Sequence, residues 1–409
     1  MNILYICHRF PYPPKRGGKI RPFNMISHLS RQGHKVWVCS LVRGDQEAAE
    51  TSGIEQHCHH HFMAQVDNKL QTLRMVARLP LPTPSSMGFF YSAKLKAHID
   101  QLLAREKFDL IFVHCSSVAQ YVADVTGIPK ILDYGDMDSQ KWLTYTRFKP
   151  FPLNMGYWLE GSKMERAEKQ LAKHFDMATC TTRAEWQTLE DYRTGIATDW
   201  FPNGVDSDFF KPDGEGYDPN AISFIGRMDY YPNQHCMLEF CDKVLPLLRQ
   251  RLPEAKLFIV GADPSKEIWA LDKLDGVTVT GSVDDVRPYI QRTAAMVAPL
   301  AIARGTQNKI LEAMAMGVPV VSSRQAAGGI DAVAGEHFLV ADNPQEYADA
   351  LLSLMSDENR RKHYADAGRN RVLSNHNWPA SMARLDGIID QCIKATTGTT
   401  PSKEAALCD

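Results

Sequence analysis

The sequence predicts an α/β protein built of two doubly wound domains. Short apolar runs alternate with longer helical patterns along both halves of the chain. A turn-rich stretch separates the halves, and 409 residues are more than one ordinary core accommodates.

In the first half, NILYIC, KVWVCSL, DLIFVHC, KILDYG and MATCTT read as strands. Runs that are apolar throughout, rather than at alternate positions, suit a parallel sheet covered on both faces. Between the first two, PFNMISHLSRQGH places Phe23, Ile26 and Leu29 on one helical face, and Gly33 is a stop signal. The second half repeats the scheme with AISFIG, KLFIVG, GVTVTG, MVAPL and VPVVSS as strands, and with helical patterns such as NQHCMLEFCDKVLPLLRQR and QNKILEAMAMG. DWFPNGVDSDFFKPD, rich in Pro, Asn, Gly and Asp, reads as the linker. The expected domains are residues 1–200 and 203–375. A C-terminal helix at about 377–394 packs back on the first, and a disordered polar tail fills 396–409. Ligands of doubly wound sheets bind beyond the C-terminal strand ends, which here would face each other across a cleft.

Composition narrows the function classes. No apolar run approaches the roughly 20 residues of a membrane span, and no signal-peptide pattern opens the chain. Nine cysteines without CxxC spacing suit reduced, buried thiols of a cytoplasmic protein. The net charge of −2 is uneven: residues 1–110 carry +7, which leaves −9 for the remainder. A basic N-terminal region points to an anionic partner, such as a phosphate or a lipid headgroup. Nucleic acid ranks last, since no nucleic-acid-binding motif accompanies the charge. Much of the charge lies in RFPYPPKRGGKIRPF, residues 9–23, where Lys15, Arg16, Lys19 and Arg21 surround Gly17-Gly18. Glycines there let backbone approach an anion closely. A solvated basic turn is the plainer reading.

RGTQNKILEAMAMG, residues 304–317, carries the strongest local chemistry. Gly305, Thr306, Gln307 and Asn308 form a small polar loop leading into a helix. The unpaired N–H groups of that helix start suit a diphosphate, and Lys309 adds a full charge. Glu312 lies about one turn further in, at about 5 Å along the axis, where a carboxylate can accept two ribose hydroxyls. A capped helix with a solvated Glu is the alternative. No GxGxxG follows the first strand, which disfavours a dehydrogenase.

FPNGVDSDFFKP, FIGRMD, GSVDDVRPYIQRTAAMVAPL and NKILEAMAMGVPVV together resemble the GT-B fold glycosyltransferases, close to the retaining family four, over nearly the whole chain. FIGRMDYYPN and DYGDMDSQKW are similar to a branch found with exosortase-linked exopolysaccharide clusters. The resemblance implies a hexosyltransferase acting from a nucleotide sugar, UDP- or GDP-linked, onto a glycan or lipid-linked acceptor in exopolysaccharide or cell-surface polysaccharide biosynthesis. It implies retention, no metal and no other cofactor. It places Arg227 and Lys309 on the donor diphosphate, Glu312 on the ribose, the backbone near Val283 on the nucleobase edge, and the Gly17-Gly18 loop against the phosphates and the acceptor. An ion pair within the fold is the plainer role for Arg227.

Two departures stand out against that family. Position 304, where the family carries a Glu eight residues before Glu312, is Arg304, which cannot accept hydrogen bonds but can pair with a diphosphate. The Lys that follows the Arg of FIGR is absent, and Asn233 stands in that segment. These departures keep open a non-catalytic sugar-nucleotide-binding assembly protein. A nucleotide-sugar epimerase or hydrolase of the same fold is the other rival.

On the acceptor side, Asp136 is the candidate to orient or deprotonate the acceptor hydroxyl, with a turn acid as the alternative. Asp136-Met-Asp138 and Asp206-Ser-Asp208 are both DxD, but so short a pattern is common by chance and no metal is expected. HCHHHF, residues 57–62, reads as surface or strand-end histidines. NKLQTLRMVARLPLP, residues 68–82, reads equally as a helix facing the sheet or as a basic amphipathic helix on an anionic bilayer. The expected location is the cytoplasm, including peripheral contact of the basic N-terminal domain with the inner membrane.

Overall fold

The computed structural model describes residues 1–14, 17–49 and 52–397. The chain divides into two compact units, Met1–Phe201 with Met382 onward, and Pro202–Ser381. The first unit holds a seven-stranded sheet of β1 (Asn2–Cys7), β2 (Lys35–Arg43), β3 (His60–Val66), β4 (Leu110–His114), β5 (Lys130–Gly135), β6 (Met177–Cys180) and β7 (Ala197–Trp200). The second holds a six-stranded sheet of β8 (Asp218–Ile225), β9 (Lys256–Val260), β10 (Val277–Gly281), β11 (Thr293–Ala298), β12 (Val320–Ser322) and β13 (Leu339–Val340). Both are parallel. Their orders, β3-β2-β1-β4-β5-β6-β7 and β10-β9-β8-β11-β12-β13, reverse beside β1 and β8. Each unit is therefore Rossmann-like, with a switch point between β1 and β4 or between β8 and β11.

The central strands are where the apolar runs lie. β4, β5 and β11 are buried at every residue, which is why they show no alternation. The edge strands β3, β7 and β13 add to the expected set. β3 reads HHFMAQV, with only Ala64 and Val66 buried, so it shows no apolar run. Its histidines serve separate neighbours: the His60 ring stacks on His98, and that of His61 lies edge-on to Phe10.

The opening loop is shorter than expected. A helix begins at Gly17 and runs to Arg31, with Gly17 and Gly18 in its first turn. Lys19 and Arg21 consequently fall on faces turned inward and are buried. This corrects the expectation that they meet an acceptor phosphate or a membrane, because a buried cation requires a partner. Lys19 Nζ lies 2.8 Å from Glu47 Oε1. Arg21 donates to both carboxylate oxygens of Asp133 and to Phe201 O, with its guanidinium 3.7 Å from the Phe201 ring centroid. Lys15 and Arg16 lie outside the described residues.

A second buried carboxylate, Glu168, accepts from Ser139 N, from Ser139 Oγ at 2.5 Å and from Tyr192 Oη at 3.0 Å. Burial pushes its pKa up to about 8, so it folds as the neutral acid. An acid whose folded pKa is raised contributes stability below its unfolded value, and that contribution fades as pH rises toward the folded value. Between about pH 4.5 and 8, Glu168 is expected to lower stability with rising pH by up to about 1.4 kcal/mol per unit. Unfolding midpoints measured across that window should show this slope in the wild type and a flatter one in Glu168→Gln. Equal slopes would refute the assignment.

The C-terminal helix, Trp378–Thr397, starts in the second unit and joins the first from Met382. There His28 Nε2 lies 2.8 Å from Asp386 Oδ1, and the Arg384 guanidinium sits 4.5 Å from the Trp200 ring centroid. The helix reaches past residue 396, where the tail was expected to begin; residues 398–409 lie outside the described residues.

Candidate functional site

The predicted donor residues gather at the switch point of the second sheet. β8 ends at Ile225, and Gly226 and Arg227 follow. From neighbouring β11, residues 299–307 lead into the helix Asn308–Ala315. Gly305 has φ 62, a left-handed conformation that glycine adopts at little cost. A Cβ on Gly329 would lie 2.0 Å from Gly305 O, so two glycines let the backbone of these loops touch. Gln307 Nε2 donates to Arg304 O at 3.1 Å, fixing the loop ahead of the helix. Arg304 itself is half-buried within it.

The loop before that helix and its first turn carry polar groups left for a ligand. Thr306 Oγ1 and Asn308 Oδ1 are buried atoms without a hydrogen-bond partner. Unsatisfied oxygens of this kind are uncommon in a finished core and suit a site completed by a ligand. Lys309 and Glu312, three residues apart on the helix, are both half-buried. Burial lowers the Lys309 pKa to about 8, against the pull of Cys236 and Glu312. It raises that of Glu312 to about 7, against the pull of Lys309.

Asn233 connects the two predicted cations. Its Oδ1 accepts from Lys309 Nζ at 3.0 Å, and its Nδ2 donates to Arg227 O at 2.8 Å. Lys309 also lies over the Phe224 ring at 4.1 Å. The residue that breaks the expected cation pattern therefore positions the remaining lysine, a role with no local sequence signal. Arg227 stands at the C-terminal edge of β8, but its guanidinium is engaged by Asp229 and by Asp263 at 2.5 Å. Val283 follows β10, and its side chain packs on the core, which leaves its backbone at the strand end.

In the first unit, the switch point lies between β1 and β4. His8 and Arg9 follow β1, and His8 Nδ1 and Arg9 Nε are buried without a partner. Burial, then Arg9 and His114, push the His8 pKa well below the ordinary value, so its imidazole is neutral. Arg9 opens the basic stretch 9–23 and His8 precedes it, and neither stands in a local pattern that signals a site. Arg9 Cδ lies 3.8 Å from where a Gly18 Cβ would be, so that glycine leaves room beside the guanidinium, while among the described residues no atom beyond its chain neighbours lies within 4 Å of a Cβ at Gly17.

Asp136 follows β5 and is exposed. Desolvation by the surrounding protein raises its carboxyl pKa, Lys141 opposes the rise and Asp138 adds to it. Asp133, two residues before β5 ends, is structural: it accepts from Arg21, from His114 Nδ1 at 2.7 Å and from Thr179 Oγ1 at 2.9 Å. Asp206 Oδ1 accepts from the N–H groups of Asp208 and Phe209, a turn role for that DxD.

Comparison with known proteins matches this architecture half by half. The family model "Glycosyltransferase Family 4" matches residues 16–209, and "Glycosyl transferases group 1" matches 219–357. A GDP-mannose-dependent alpha-(1-6)-phosphatidylinositol monomannoside mannosyltransferase of Mycobacterium tuberculosis is 29% identical over 215 residues, 46% of this chain and 54% of that protein. The chain thus spans about half the length of that relative. An uncharacterized 44.6 kDa protein in the cps region of Klebsiella pneumoniae is 20% identical over 89% of this chain and 93% of its own length. Among solved structures, sucrose-phosphate synthase from Thermosynechococcus elongatus superposes with a TM-score of 0.71 at 16% identity, covering 97% of this chain and 100% of that one. HepE of Anabaena, solved with UDP-glucose, gives 0.66 at 16% identity over 96% and 100%. With one family model on each unit and these folds alongside, the chain is a glycosyltransferase of the GT-B fold and of the family-four type.

Proposed function

We propose that the protein transfers a hexosyl group from a UDP- or GDP-linked sugar to a hydroxyl of a glycan or lipid-linked acceptor, with retention, in exopolysaccharide or cell-surface polysaccharide biosynthesis. The observation that carries the donor half is the start of the Asn308–Ala315 helix. A helix start without a side-chain cap, unpartnered Thr306 and Asn308 oxygens, Lys309 and Glu312 converge there. A relative named as GDP-mannose-dependent and a neighbour solved with UDP-glucose support a nucleotide-sugar donor and leave the base open between the two.

In this reading Lys309, held by Asn233, faces the diphosphate, and Arg304 stands in the same loop. Fixed cations stabilise the charge that develops on the leaving group. The acceptor oxygen bonds to the anomeric carbon on the face the diphosphate leaves. The carbon–oxygen bond to phosphate breaks with its electron pair going to phosphate, and the phosphate takes the acceptor proton. Asp136 orients the acceptor hydroxyl. Arg227 reaches a phosphate only by exchanging its contacts with Asp229 and Asp263.

Calorimetric titration of UDP-, GDP-, ADP- and dTDP-sugars onto the full chain tests this, with Glu312→Ala as control. One nucleotide should bind clearly. Donor affinity is expected to peak between about pH 7 and 8. Below about 7, Glu312 is protonated and loses acceptor capacity; above about 8, Lys309 loses its charge. Binding of no nucleotide would sink the transferase reading, and binding without any turnover would favour the non-catalytic assembly protein. Donor cleavage at full speed without acceptor would favour a hydrolase or epimerase.

A further inference from the structure

Arg227 stands at the donor site with its charge already committed. Its Nε and Nη2 donate to Asp229 at 3.0 and 2.7 Å, and Nη2 donates to Asp263 Oδ2 at 2.5 Å. One guanidinium between two carboxylates leaves this cluster with a negative charge in excess. Lys309 is placed differently. Its Nζ lies 3.0 Å from where a Cβ on Gly226, the residue before Arg227, would be, and its printed side-chain partner at that end is the neutral amide of Asn233.

The backbone builds the contact with Asp263. Asp263 has φ 56, a left-handed conformation uncommon for a residue with a side chain. Two residues earlier, Gly261 has φ 146, and a Cβ there would lie 1.8 Å from Gly226 O. Met228 N donates to Ala262 O at 2.7 Å. The loop after β9 is thus pressed onto the loop after β8 on both sides of Arg227, and Asp263 meets the guanidinium from there. An exposed ion pair by itself orders little. A residue held in a sparsely populated conformation by close backbone contacts is a mark of a functional constraint.

We propose that Asp263, with Asp229, is a positioning residue that withholds Arg227 from the diphosphate and so favours the nucleotide sugar over the nucleoside diphosphate released by transfer. The inference rests on the donor reading above. The terminal phosphate of the released product ionises once more than the sugar-linked diphosphate does, with a pKa of about 6. A released guanidinium would hold the more highly charged product harder than the donor, through charge-assisted hydrogen bonds. Engaged by Asp229 and Asp263, it leaves the product easier to expel, and product release is a step that limits many enzymes.

Calorimetric titration of UDP, GDP and their hexose conjugates onto the full chain, as wild type and as Asp263→Gly, decides it. Glycine keeps the left-handed φ, and the side chain removed is 59% exposed, so the unfolding midpoint should hold. Asp263→Gly is expected to bind the nucleoside diphosphate about five- to tenfold more tightly, and the nucleotide sugar by a smaller factor. With Arg227→Ala already present, the same substitution should gain at most about twofold, because Asp263 acts through the guanidinium. An equal gain with and without Arg227 would show plain charge repulsion and overturn the proposal. So would an equal gain for product and donor. Unchanged affinity in Asp263→Gly, in a chain that loses nucleotide binding on Glu312→Ala, would overturn this inference and leave the donor reading standing. Binding of no nucleotide by the wild type would overturn both.

Discussion

Glu312→Ala is expected to weaken binding of the cognate nucleotide sugar by more than about a hundredfold. Two hydrogen bonds from ribose hydroxyls to a carboxylate are worth together about 3 kcal/mol. The substitution also removes the carboxylate beside Lys309, whose half-buried charge would lose a partner. Glu312→Gln retains one acceptor oxygen and should lose roughly tenfold. The two variants are informative together with pH. If Glu312 acts as a carboxylate, the acid-side fall in affinity near pH 7 should vanish in Glu312→Gln, while the alkaline fall assigned to Lys309 near 8 persists. Unchanged affinity in Glu312→Ala would mean that the helix start binds no nucleotide ribose.

Arg21→Met should destabilise the first unit by about 3–5 kcal/mol, because it leaves the fully buried Asp133 with its largest compensating charge removed. Burial disfavours the charged carboxylate, and Arg21, with His114, more than offsets this, holding its pKa well below the usual range. A depressed carboxylate pKa contributes stability at and above the unfolded value and loses it as pH falls toward the folded one. The wild type should therefore lose stability on acidification below about pH 4, and Arg21→Met should show a smaller loss there. The pair Arg21→Met with Asp133→Asn should be less damaged than Arg21→Met alone, since no uncompensated charge remains. Chemical unfolding of the three variants measures both effects. A single variant within experimental error of wild type would remove the network from the account of this core.

The parts of the fold that were legible are those governed by burial on both faces. β1, β4, β5, β8 and β11 announce themselves because a strand covered twice has no polar side to show. β3, β7 and β13 do not, because an edge position relaxes that demand and shortens the run. The polar loop and the helix it leads into at 304–312 were legible as local structure from residue types and spacing, while the donor roles given to them came from the family resemblance. Asn233 was not, because its partner Lys309 is 76 residues away and an amide carries no pattern of its own. Charge in the opening stretch gave a sign but no direction. Whether Lys19 and Arg21 face ligand or core depends on Glu47 and Asp133, which only the folded sheet brings near.

The path of the chain orders its own assembly. Residues 202–381 form one unit inserted within the other, and the last helix returns to pair with His28 across 358 residues. On a ribosome the inserted unit is complete before the residues that finish the outer one have been made. The outer unit must therefore wait with the site of its closing helix uncovered, while the inner one is already able to fold. A second unit exchanged from another protein must likewise be spliced in at two junctions rather than fused at one.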